Sequence, residues 1–311
     1  MVTRQIIYIY VPIQIDRMTQ PTMTPETKSR ITASLSAYVE RRGSINKASK
    51  TLQGVSSATI SKILSGKDAD ISDALWRTLS AQLATTDQTG WQIAETGAYK
   101  TMLFLLEHAQ QDSLVLAITG DAGSGKTEAM RRYAYEGRNV YHITCAEYLN
   151  RRSFMLRVLQ VIGVDSAGST VSEMVDDIIT ELSRQERPLI ILDEADKLTD
   201  QVLYFFISIY NALEWRCGIV LSSTNYLKRR LERGIRLGKR GYEEIWSRLG
   251  RKCIALPLIS DEDIAAVCQT NGITSPQHIE RIVREAEHDL RKVKRAVYAI
   301  TKAQQETRQN K

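Results

Sequence analysis

The chain has 311 residues, 43% of them hydrophobic and 25% charged, with a formal net charge of +6 and a pI of about 9.1. That apolar content suffices for one large core or two to three smaller ones, and no run approaches the roughly eighteen apolar residues of a membrane span. Four scattered cysteines (Cys145, Cys217, Cys253, Cys268), with no C-x-x-C pair and no histidine at ligand spacing, argue against both a disulfide framework and a zinc site. A reduced, cytoplasmic protein is expected.

Residues 1–26 read as a leader. Its apolar stretch at 6–15 is interrupted by Pro12 and Gln14 and lacks a small-residue cleavage site, so no signal peptide is expected; Met18 and Met23 offer later starts. Residues 27–42 follow as a helix with Ile31, Leu35, Tyr38 and Val39 at helical spacing, and Gly43 ends it. Ser44 caps a second helix over 45–52, Gln53-Gly54-Val55 turns, and Ser56 caps a third through Leu64. Residues 54–67 resemble the recognition half of repressor-type helix-turn-helix domains, although Ala48 stands farther from the turn glycine than in that pattern. Ile60 and Ile63 are expected in the core. Ser56, Ser57, Thr59, Ser61 and Lys62 then face a DNA groove. A helical bundle used for protein contacts fits the same residues. A helix over 70–83 closes this unit (27–85), and 84–90 has linker composition.

From Leu114 strands and helices alternate, which predicts an α/β fold with a parallel sheet. Strands are expected at 114–119, 139–145, 189–192, 218–223 and 253–256. Helices are expected at 126–136, 151–162, 170–184 and 200–213, with Thr170 and Glu173 forming a capping box. The first strand runs into Gly120-Asp121-Ala122-Gly123-Ser124-Gly125-Lys126-Thr127, which fits G-x-x-x-x-G-K-[ST] at every fixed position. Its glycines let backbone N–H groups turn inward on nucleotide phosphates. Lys126 supplies a cation to the β and γ phosphates, and the Thr127 hydroxyl is a Mg²⁺ ligand. ATP and Mg²⁺ are therefore the expected cofactors.

The apolar strand 189–192 ends in Asp193 and Glu194, the form of the acidic partner to a phosphate loop. Asp193 would hold the metal's hydration shell, and Glu194 would orient and deprotonate the attacking water. Asp193-Glu194-Ala195-Asp196 also spells a helicase motif. Too few residues follow Asn225 for the second domain such helicases need.

Strand 218–223 continues into Thr224-Asn225, which resembles the first sensor of AAA+ ATPases. With the phosphate loop and acidic strand ahead of it, in that order, and a helical tail behind, the resemblance becomes family-sized. It implies a five-stranded AAA+ core at 86–258 and a helical lid at 259–311. It further implies that Asn225 helps hold the lytic water. In Asp289-Leu290-Arg291-Lys292-Val293, Arg291 would reach the γ-phosphate from the lid, although His288-Asp289 replaces the family's usual Gly or Pro. Trp246-Ser247-Arg248-Leu249-Gly250-Arg251 lies where the family carries an arginine that completes a neighbouring subunit's site; Arg248 is the first choice and Arg251 the second. More narrowly, the layout is similar to the Mu B-type transposition ATPases, with IstB and TnsC-type proteins as relatives. That implies an ATP-dependent filament on double-stranded DNA, delivery of that DNA to a transposase, stimulated strand transfer, and disassembly on ATP hydrolysis.

The basic character is local: residues 228–252 hold ten of the 42 Lys and Arg residues against three acids. Lys228, Arg229, Arg230, Arg233, Arg236, Lys239 and Arg240, interleaved with Gly234, Gly238 and Gly241, read as a flexible cationic loop able to follow a phosphate backbone. Arg151 and Arg152 lie where related ATPases face a central channel. Two alternatives stand beside the transposition reading: a replication-type AAA+ helicase loader or initiator, and a nucleotide-switched helix-turn-helix repressor.

Overall fold

The computed structural model describes residues 23–83, 91–165 and 168–309. The linker at 84–90 and most of the 1–26 leader lie outside those residues.

Helices α1 (Pro25–Arg42), α2 (Ile45–Thr51), α3 (Ser57–Leu64) and α4 (Asp73–Leu83) form an N-terminal unit. Thr24, Ser44 and Ser56 cap the first three by accepting from a backbone N–H three residues on, each contributing about 1 kcal/mol relative to alanine. Gly43 stops α1 at φ 79°, a left-handed conformation that costs glycine little. Ile60 and Ile63 are buried as expected, packed with Leu35, Ala48, Trp76 and Leu79. Helix α4 starts later than residue 70: Ser72 caps it by accepting from the Leu75 N–H at 3.3 Å, and Asp70 lies before it, paired with Lys62 at 2.5 Å.

The remaining elements follow in the order α5 (Gly97–Gln111), β1 (Val115–Thr119), α6 (Lys126–Glu136), β2 (Val140–Thr144), α7 (Arg151–Ile162), α8 (Val171–Ser183) and β3 (Leu189–Asp193). Then come α9 (Asp200–Leu213), β4 (Gly218–Ser223), α10 (Tyr226–Arg236), α11 (Tyr242–Arg248), β5 (Ile254–Ala255), α12 (Asp261–Thr270), α13 (Pro276–Ala286) and α14 (Leu290–Gln309). The five strands form one sheet in the order β2-β3-β4-β1-β5, and every pair is parallel. Strands β3 and β4 are buried at every residue, as central parallel strands covered on both faces should be. Asp193 is level with Thr144 on β2 and Ser222 on β4, so the catalytic candidates gather at the carboxyl ends of the strands.

Two apolar clusters flank the sheet. One joins α7, α8, α9, α10 and α11; the other joins α5 and α6 with α12, α13 and α14. Ile264 of α12 and Val293 of α14 share that second core with Met130 and Ile118, so the C-terminal helices are built onto the α6 face of the sheet.

The N-terminal unit lies against edge strand β2. The Arg41 guanidinium sits 4.0 Å from the centre of the Tyr135 ring on α6, and Arg42 Nη1 donates to the Val161 carbonyl of α7 at 3.1 Å. Lys47 pairs with Glu181 of α8 at 2.8 Å. The unit is thus tied to α6, α7 and α8 around the sheet edge, and Arg42 also lies 5.9 Å from the centre of the Tyr141 ring on β2.

The basic segment corrects the sequence reading. It is not a flexible loop: α10 spans most of it, with Leu227, Leu231 and Gly234 buried on one face. A Cβ on Gly234 would overlap the Tyr242 ring, so this glycine serves close helix packing between α10 and α11. The cations occupy the other faces of a fixed helix and the short connection after it.

Candidate nucleotide site and DNA-facing surface

Strand β1 delivers the chain to the phosphate loop, and α6 begins at Lys126 with its N–H groups pointing back into that loop. Gly123 and Gly125 stand at φ 79° and 84°. These left-handed conformations turn successive N–H groups toward one point, a geometry that favours an anion. Lys126 Nζ donates to the carbonyls of Gly120 and Asp121, both at 2.7 Å, and to Ser124 Oγ at 3.3 Å. Burial lowers the pKa of this ammonium, against the opposing pull of Asp193 and Asp121, and Arg291 lowers it further.

Asp193 is 2% exposed. Burial alone would raise its pKa, but hydrogen bonds from His142 and Thr127 outweigh that and hold the carboxyl below its ordinary value. His142 Nε2 lies 3.4 Å from Asp193 Oδ2, and the Glu194 N–H donates to Oδ1 at 2.9 Å. Glu194 adopts φ 56°, ψ 40°, a left-handed conformation that is uncommon outside glycine and turns its side chain into the cleft. There its carboxylate meets Lys197 Nζ at 2.7 Å. Asp196, on the following turn, has its pKa raised by burial and by the Glu194 charge.

These groups line one cleft of about 1430 Å³, bordered by residues 91–96, the start of α14 and the end of α1 with Lys47 of α2. Lys126, Thr127, Asp193, Glu194 and Arg291 are brought together there, as the sequence motifs require. Ser223 and Thr224 line it too, whereas Asn225 is exposed at the head of α10 and is not part of the lining. Arg248 lies elsewhere on the chain. Asn211 Oδ1 accepts from it at 2.8 and 3.1 Å, Glu244 pairs with it at 2.7 Å, and its guanidinium rests near the Tyr210 ring. Arg251 is exposed at φ 55°.

Two contacts escaped the sequence reading. His142 looks like an ordinary residue of an apolar strand until β2 and β3 pair in register. Asp289 reads as a departure from a motif, yet it packs directly on Gly123, and the Leu290 N–H beside it donates to the Gly123 carbonyl at 3.0 Å.

The DNA candidates divide by environment. On α3, Ser56 is spent as a cap, with its Oγ bound to the Thr59 N–H and hydroxyl; Ser57 is half-buried, and Lys62 is exposed beside Asp70. Arg151 and Arg152 are exposed at the start of α7, where Arg152 Nη1 donates to the Ser169 carbonyl at 2.7 Å. Lys228, Arg229, Arg233, Arg236, Lys239 and Arg240 are exposed. Arg230 is not available for phosphate. Its side chain is 15% exposed, donates to the Asp196 and Leu198 carbonyls at 3.0 and 2.6 Å, and pairs with Asp200 at 2.5 Å.

Residues 109–231 match the AAA domain family. A Mu-like prophage DNA transposition protein B from Haemophilus influenzae is 24% identical over 193 residues, which cover 61% of this chain and 65% of that protein. The ATP-dependent target DNA activators B of Escherichia phages Mu and D108 are 24% identical over 268 and 269 residues, 83% of each chain. Among solved structures, Aeropyrum pernix ORC1 in complex with DNA aligns with a TM-score of 0.47 at 18% identity, covering 67% of this chain and 59% of that one. NtrX from Brucella abortus in complex with ATP aligns with a TM-score of 0.44 at 14% identity, covering 79% and 59%.

Proposed function

We propose that this chain, an AAA+ protein similar to the Mu B-type relatives, is an ATPase that assembles on duplex DNA with ATP and presents that DNA to a transposase in the cytoplasm. The observation that carries the ATPase part is the single cleft holding Lys126, Thr127, Asp193, Glu194 and Arg291. The relatives named as target DNA activators and a transposition protein support the DNA part.

The residues fit ATP with Mg²⁺. Among the described residues no group of three or more His, Cys, Asp or Glu could hold a metal by itself. Thr127 and Asp193 supply two oxygens beside a phosphate loop, which suits an ion that keeps most of its ligands as water and phosphate. When bound, the ion would neutralise phosphate charge. Lys126 leaves its own loop carbonyls to pair with the β and γ phosphates, and Asp193, fixed by His142 and the Glu194 N–H, holds the water shell. Glu194 accepts the proton of the attacking water. Arg291 approaches the γ-phosphate from α14, and Arg248 reaches a neighbouring copy's site from outside, so full activity requires an oligomer. Asn225, next to Thr224 of the cleft lining, acts as the water-holding sensor.

In this reading hydrolysis dismantles a helical filament that holds DNA through its phosphates, with the N-terminal unit (27–85) acting as a helix-turn-helix that adds a second contact. Binding to fluorescent duplex DNA over a salt series, with and without ATP, tests it. ATP-dependent affinity that falls steeply with salt and varies little with sequence is expected. Affinity that ignores both ATP and salt would defeat the proposal.

A further inference from the structure

The carboxyl ends of β2, β3 and β4 carry a surface that the cation candidates alone do not describe. Tyr148, in the connection after β2, is 77% exposed, and Tyr226, the first residue of α10 after β4, is 54% exposed. Soluble surfaces show single exposed aromatics without consequence, but these two sit on connections from the same edge of one sheet. Strands β2 and β4 flank β3, so their ends are about 10 Å apart. Lys197 comes from the connection after β3, between them, and Glu147 and Tyr226 line a common cleft of about 440 Å³ with it.

The surface is fixed rather than loose. Asn150 caps α7 by accepting from the Ser153 N–H at 2.9 Å, which sets the connection carrying Tyr148. The Tyr226 N–H donates to Thr224 Oγ1 at 3.3 Å. Arg230, one turn farther along α10, is tied to the carbonyls either side of Lys197 and to Asp200. Arg151 and Arg152 follow Tyr148 at the start of α7, and Lys228 and Arg229 follow Tyr226 in the first turn of α10; all four cations are exposed.

From this juxtaposition we propose that Tyr148 and Tyr226 pack against the sugar and base surface of DNA while the adjacent cations hold its phosphates. The inference rests on the DNA-binding reading above and adds a non-electrostatic contact that no cation can supply. Tyrosine suits the task because a flat, rigid ring loses little conformational entropy on contact, and the deoxyribose it meets along a duplex is the same at every position.

The two kinds of contact separate by salt. Phosphate neutralisation sets the slope of log affinity against log salt, whereas ring packing shifts the whole line without tilting it. The test measures fluorescence anisotropy of a labelled duplex with an ATP analogue across a salt series. Tyr148→Ala and Tyr226→Ala are each expected to weaken binding about tenfold at every salt concentration with the slope unchanged. Tyr148→Phe and Tyr226→Phe should restore it, and thermal melting checks folding. Arg151→Ala with Arg152→Ala should instead flatten the slope by one to two, in round terms about 0.9 per lost phosphate contact. Alanine variants that bind as tightly as the parent chain would overturn this inference and leave the DNA-binding reading intact. Failure of the parent chain to bind DNA would overturn both.

Discussion

Gly123 in the phosphate loop and Asp289 at the head of α14 touch so closely that a Cβ on the glycine would overlap the Asp289 carboxylate. Gly123 also needs its left-handed φ of 79°, so Gly123→Ala combines backbone strain with a collision. Nucleotide affinity is expected to fall about tenfold or more. Asp289→Gly in the same chain removes the collision but not the strain and should recover part of the loss. Titration of a fluorescent ATP analogue across the four proteins of this cycle reads the coupling; strictly additive losses would mean that the lid and loop do not communicate here.

Arg229 and Arg230 are neighbours in sequence with opposite expected roles. Arg230→Ala takes from Asp200 one of its three donors, leaving Tyr242 and Lys239, and strips the Asp196 and Leu198 carbonyls of the guanidinium; it should cost about 1–3 kcal/mol, moderated because Asp200 is partly solvated. Its melting temperature should fall. Arg229→Ala should leave melting unchanged and reduce the salt slope of DNA binding by about 0.9. Calorimetry and anisotropy on the pair separate a strut from a phosphate contact.

Acid sensitivity should report on the same network. Burial opposes ionisation of Asp200, but Tyr242, Arg230 and Lys239 together hold its pKa below the ordinary 3.8. A carboxyl depressed in the folded state stabilises the protein above its unfolded pKa, and that contribution is lost as pH falls through the folded value. Asp200→Asn should therefore be less stable than the parent chain at pH 7, and the gap should close on acidification below about pH 4. Urea unfolding at neutral and acid pH measures it; a gap that widens in acid would contradict the assignment.

Complementation tests Arg248. Lys126→Ala removes a subunit's own phosphate cation, and Arg248→Ala removes what it offers a neighbour. Each variant alone should lose most ATP turnover, and mixing them should restore part of it through interfaces that combine an intact Lys126 with an intact Arg248. No recovery on mixing would confine Arg248 to its contacts with Asn211 and Glu244.

Local grammar was legible where a residue's task is set by its near neighbours. The phosphate loop, the capping box at Thr170 and Glu173, and the buried Ile60 and Ile63 all follow from spacing, and the structure has them. Strand Leu189–Asp193 was readable because a central parallel strand is apolar throughout. What escaped depends on partners far along the chain. Gly234 reads as a loop glycine until Tyr242 folds against it, and Arg230 reads as a phosphate contact until Asp200 and the turn at Ala195–Lys197 enclose it. His142 gains meaning only through Asp193, which strand pairing brings beside it.

The central claim is that γ-phosphate occupancy at Lys126 decides whether copies of the chain hold together on DNA. Glu194→Gln keeps the nucleotide-binding groups and removes the base, so bound ATP should persist. Electron microscopy of this variant with ATP and duplex DNA is the most direct measurement. Long-lived protein filaments on the DNA, absent when ATP is omitted, are the predicted result; a variant that binds ATP yet stays monomeric beside bare DNA would contradict the account.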